Sequence, residues 1–83
     1  MIFSNSKEFG VLIRKARKAQ GMNQSELAGA CGTGVRFVVD LEKGKPTVEF
    51  DKAILVAAML GIKLDAQIPT KIPAKISDDL EGF

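Results

Sequence analysis

Histidine, tryptophan and tyrosine are absent from this chain, and it has one cysteine in 83 residues. Without histidine it lacks the commonest general base and metal ligand. Cys31, standing alone, excludes an internal disulfide and a cysteine metal cluster. No cofactor or metal is therefore expected. Long apolar runs are missing too. The longest, Ala53 to Leu60, falls far short of the roughly 20 residues that span a bilayer. The opening MIFSNSK lacks the basic-then-apolar pattern of a signal peptide. A cytoplasmic protein with no membrane partner is the expectation.

What is present suits one small folded domain, with 46% apolar residues and a net charge of +2. The charge is unevenly spread. Arg14, Lys15, Arg17 and Lys18 cluster early, Lys43 and Lys45 stand mid-chain, and Asp78, Asp79 and Glu81 lie at the far end. A basic body with an acidic tail suits an anionic partner, although a solvated helix face gives the same pattern.

Segment 23–44, NQSELAGACGTGVRFVVDLEKG, carries the most information. Asn23 with Glu26 three residues on forms a capping box. Leu27, Ala28 and Cys31 then mark one buried face, and Gly32 permits a sharp turn. A second helix follows, with Phe37, Val38 and Leu41 inward and Gly44 as its stop. This is the geometry of a helix-turn-helix, whose second helix can enter a DNA major groove. The opposite face carries Val35, Arg36, Val39 and Asp40. Arg36 can pair with guanine, and the two valines can meet thymine methyl groups; lone exposed valines are also ordinary surface. Thr33 and Gly34 open that helix where backbone N–H groups can face a phosphate. Asn23 and Gln24 at the start of the preceding helix, with Lys43 and Lys45, are the expected phosphate contacts.

A first helix is expected from about Ser6 to Gln20, with Asn5 and Glu8 as another capping box and Phe9, Leu12, Ile13 and Ala16 buried. A fourth is expected from about Val48 to Leu60, capped by Thr47, with Phe50, Ile54, Ala57 and Ala58 as its buried stripe. Beyond Gly61 the period shortens. Ile62, Leu64, Ala66 and Ile68 alternate with polar residues, which is a strand pattern ended by Pro69. A lone strand leaves backbone groups unpaired, and pairing with its counterpart across a dimer two-fold satisfies them. The other solution is a strand that pads its own helices. The expected organisation is a DNA-binding domain over 6–61, a dimerising strand over 62–68 and a flexible tail over 69–83.

The run MNQSELAGACGTGVRFVVDLEKGKP resembles the helix-turn-helix of phage-repressor-like regulators, the Cro/C1 class. Within that class GVRFVVDLEKGKPT and the strand after Leu60-Gly61-Ile62 look most like HipB-type antitoxins. The resemblance implies an all-α, lambda-repressor-like bundle of four to five helices with a C-terminal β-strand. It implies a homodimeric repressor of double-stranded operator DNA that also binds a HipA-like kinase toxin. It gives Gln24 a phosphate contact and puts Gly34, Val35, Arg36, Val39 and Asp40 at recognition positions. It also pairs Arg17 with Glu42 as a partly buried link between the first helix and the recognition helix. Gly34 and Val35 depart from the polar residues common there, which shifts weight towards DNA shape. A stand-alone repressor and a protein-interaction module are the competing readings. An enzyme is disfavoured, because Asp78 and Asp79 lie where no scaffold holds a catalytic geometry. For a toxin, the free surfaces are the outer face of the fourth helix around Glu49 and Lys52, residues Met1 to Phe3, and the tail. There Ile72, Ile76, Leu80 and Phe83 share one side of a helix that Ser77 could start; a disordered end open to proteases is the alternative.

Overall fold

In the computed structural model, residues 2–70 are described; Met1 and the tail helix expected around Ile72 to Phe83 lie outside them. Four helices follow in order: α1 (Ser6–Ala19), α2 (Gln24–Cys31), α3 (Val35–Lys43) and α4 (Phe50–Met59). Helix α3 packs against both α1 and α2, and α4 lies against α2. Each helix lends its inward stripe to one core: Phe9 and Ile13, Leu27 and Ala28, Val38 and Leu41, then Ala53, Val56, Ala57 and Leu60. Full burial of one such aliphatic side chain contributes about 1.5–3 kcal/mol.

The helix starts differ in quality. At α2 the capping box is complete: Glu26 N–H donates to Asn23 Oδ1 at 2.7 Å, and Asn23 N–H donates to Glu26 Oε1 at 2.8 Å. At α1 only half of the expected box forms. Asn5 Oδ1 accepts from Glu8 N–H at 2.8 Å, but Glu8 Oε1 is taken by the Ser4 N–H and hydroxyl at 2.8 and 3.0 Å. The Phe3 ring folds onto Phe9 at 5.0 Å, which holds Ser4 within reach of Glu8.

At α4 the expectation fails twice. The helix begins at Phe50 behind Glu49, with no side-chain cap, so Thr47 and Val48 belong to the preceding turn. Its buried stripe is Ala53, Val56, Ala57 and Leu60, not Phe50, Ile54 and Ala58. Phe50 is 74% exposed, and Ile54, Leu55 and Met59 also reach the surface.

The strand expected over 62–68 does not form. Residues 62–69 have no regular structure, and the described residues contain no strand. Ile62 N–H donates to the Ala57 carbonyl at 2.9 Å and ends α4; its side chain packs on the core edge. Leu64, Ala66 and Ile68 are exposed. The physical reason is that a strand is a pairing, and one copy offers this segment no second edge.

Backbone meets backbone where α1 crosses the end of α3. A Cβ added at Gly10 would stand 2.5 Å from the Leu41 carbonyl oxygen and 2.6 Å from that of Glu42. Gly44 ends α3 at φ 83°, and a Cβ there would meet Lys7 Cα at 2.5 Å. Ser6 Oγ donates to the Gly44 carbonyl at 2.9 Å. Only glycine permits this approach.

Candidate nucleic-acid interface

Helices α2 and α3 are joined by residues 32–34. Gly32 takes φ 67°, and Thr33 N–H reaches back to the Ala28 carbonyl at 3.0 Å, which closes α2. Gly34 then precedes α3 with no side-chain cap; Phe37 N–H donates to the Gly34 carbonyl at 3.1 Å, which leaves the N–H groups of Val35 and Arg36 as the donors at the helix start. Val38 and Leu41 hold α3 to the core. Val35, Arg36 and Lys43 point away from it, with Val39 and Asp40 half-buried alongside. Of the expected reading face, Val35 and Arg36 are exposed and Val39 and Asp40 are half-buried. Phe37, expected inside, is half-buried, and the Lys52 ammonium stands 5.9 Å from its ring centroid.

Glu42, on the inner side of α3, is a hub. Arg17 Nε donates to Glu42 Oε2 at 2.6 Å and Arg17 Nη2 to Oε1 at 2.9 Å, with the side chains 9% and 4% exposed. Arg17 Nη1 donates to the Met22 carbonyl at 2.8 Å. Gln24 Nε2 donates to Glu42 Oε1 at 3.1 Å. The hydrogen bond and the charge of Glu42 outweigh burial and hold the Arg17 guanidinium above its ordinary pKa. One cluster therefore ties α1, the entry to α2, and α3 together. Among the described residues Gln24 Nε2 makes this one bond, at the first turn of α2, beside Asn23, whose side-chain oxygen is spent on the cap.

Two contacts lie on the outward side of α3. Arg36 Nε stands 3.4 Å from Asp40 Oδ1, and Lys45 Nζ stands 3.7 Å from Asp40 Oδ2. The i, i+4 spacing of Arg36 and Asp40 is the sequence signal for this pair. The Gln24–Glu42 bond had no local signal, being 18 residues apart in the chain.

Cys31, expected in the core, sits half-buried at its edge, where burial pushes its thiol pKa up. Among the described residues no group of three or more acidic, histidine or cysteine side chains could hold a metal, and no helix is long and apolar enough to cross a membrane.

The family model described as Helix-turn-helix matches residues 13–67, so the chain belongs to the helix-turn-helix family, of the Cro/C1 type. That family implies DNA binding. The chain is also 47% identical, over 62 residues, to the uncharacterized HTH-type transcriptional regulator y4mF of Sinorhizobium fredii (strain NBRC 101917 / NGR234). The match covers 75% of this chain and 82% of that regulator.

Proposed function

We propose that this chain is a sequence-specific DNA-binding transcriptional regulator, a repressor that places α3 in the major groove of an operator. The outward face of α3 carries this reading. Val35, Arg36 and Lys43 project away from the core, and the cluster around Glu42 sets Gln24 at the start of the neighbouring helix. Arg36 reads a base edge, while Gln24, Lys43, Lys45 and the N–H groups after Thr33 and Gly34 hold phosphates. Duplexes selected from a random pool by the full chain test this. Replacing Arg36 with alanine costs about 1–3 kcal/mol on the selected duplex and relaxes one position. Replacing Gln24 with alanine weakens all sequences about equally. A pool that shows no enrichment overturns the reading.

The regulator works as a homodimer, paired through Ile62, Leu64, Ala66 and Ile68. Support comes from the apolar side chains left exposed there, at Leu64 and Ile68, and from the weak attraction that one module of charge +2 has for DNA. Sedimentation of the parent chain and of Leu64→Pro separates dimer from monomer; a parent that is monomeric at micromolar concentration refutes the pairing.

A second role, as the antitoxin partner of a HipA-like kinase toxin, is favoured by apolar surface away from α3. Phe50, Ile54, Leu55 and Met59 on α4, and Ile2 and Phe3 ahead of α1, are exposed. Patches of this kind mark protein contacts. Co-purification with a kinase encoded beside the chain tests this role, and failure of the two proteins to associate rejects it.

A further inference from the structure

We propose that Asp40 is a positioning residue for DNA reading, which holds Arg36 in the orientation that presents its terminal nitrogens to a base edge. The inference rests on the proposed entry of α3 into the major groove. It begins with a placement that helix physics disfavours. Arg36 lies in the first turn of α3 and Asp40 in the last. A cation near a helix N-terminus and an anion near its C-terminus both oppose the helix dipole. An i, i+4 ion pair in this order is also the weaker of the two. The pair is therefore not explained by helix stability.

Its geometry supplies another reason. The Arg36 side chain is 80% exposed, on a long stem with many rotamers, and holding it in one pose costs entropy. The Asp40 side chain is only 17% exposed and sits in the last turn of α3. Its Oδ1 faces Arg36 Nε, which leaves Nη1 and Nη2, the two donors a guanine O6 and N7 can accept. Its Oδ2 faces Lys45 Nζ, and Lys45 N–H donates to the Asp40 carbonyl at 3.0 Å. Asp40 thus gathers two cations, one for a base edge and one for a phosphate. A carboxylate on this face would otherwise repel the DNA backbone. Both Asp40 oxygens already face a cation of this chain, at 3.4 and 3.7 Å.

The alternative, that Asp40 only adds unfavourable charge, makes the opposite forecast for specificity. The test uses the full chain and its selected duplex, together with the same duplex altered at the base pair that depends on Arg36. Asp40→Asn keeps the shape and removes the charge. It is expected to bind unrelated DNA more tightly, because a negative charge is gone. It is also expected to lose about tenfold in discrimination at that one base pair, within the range of a bidentate contact. In an Arg36→Ala background the same change should leave discrimination unaltered. Parental discrimination in Asp40→Asn, with discrimination lost in Arg36→Ala, overturns the positioning role alone. Parental preference in Arg36→Ala overturns base reading by Arg36, and the positioning role with it. Loss spread over several positions, or an equal loss in the Arg36→Ala background, also overturns it, since Asp40 would then act independently of Arg36.

Discussion

The seam between α1 and α3 and the outer side of α4 are built in opposite ways. At the seam every device is internal: glycine lets backbones touch, Ser6 satisfies the Gly44 carbonyl, and a buried ion pair bridges the helices. On α4 little is resolved within one copy. Its start has no side-chain cap, and Phe50, Ile54, Leu55 and Met59 face outward. Only its far end is served, by Gln20 Nε2 donating to the Leu60 carbonyl at 2.7 Å. A helix apolar on nearly every side belongs in an interior. The seam is closed by contacts within the chain, whereas α4 leaves much of its apolar surface exposed.

The largest effect is expected at the seam. Replacing Glu42 with alanine leaves the Arg17 guanidinium buried without its partner and should cost about 3–5 kcal/mol in a denaturant melt. Replacing both Arg17 and Glu42 with apolar residues of similar volume should recover most of that loss, because an uncompensated charge is the damage. A single Glu42→Ala variant as stable as the parent would erase the contrast between the two regions.

Next comes Gly10→Ala. In an open helix the change helps by about 1 kcal/mol. Here its methyl meets two carbonyl oxygens of α3, and overpacking of this kind costs about 1–3 kcal/mol. The sign of the shift in melting temperature decides whether the close approach holds in solution.

The smallest effect is expected at α4, with reversed sign. Glu49→Asn supplies the missing cap and should stabilise by about 0.5–1 kcal/mol. It gives up only the exposed Lys52–Glu49 pair at 3.5 Å, worth less than about 1 kcal/mol. A melt showing no gain would mean that the α4 start is already satisfied.

The same contrast separates what the sequence disclosed from what it did not. Segment 23–44 was legible because its signals are local: a cap three residues from its acidic partner, and apolar spacing broken by polar residues on the far side. The outward face of α3 followed from that phase. Helix α4 was misread because Ala53 to Leu60 is apolar at every position. The phase is set only in the first turn, where Asp51 and Lys52 are exposed; Asp51 shares its side with Ile54, Leu55 and Ala58, which favours the Ala53–Val56–Ala57–Leu60 stripe. Gly10, inside a helix where glycine is costly, asks for a packing reason, but the sequence does not show which backbone it admits. The bond between Gln24 and Glu42 exists only after folding. The strand pattern over 62–68 records a preference that one copy cannot satisfy by itself.

Helix α3 divides its labour cleanly between its two sides. Val38, Leu41 and Glu42 maintain the architecture, while Val35, Arg36 and Lys43 make none of its core contacts. Mutation can therefore explore the outward positions while the fold holds, much as a key blank accepts new teeth. On the proposed reading, a lineage built on this scaffold acquires a new genomic address in a few substitutions. Its inward residues have no such licence, so the two sides of one helix should drift at different rates.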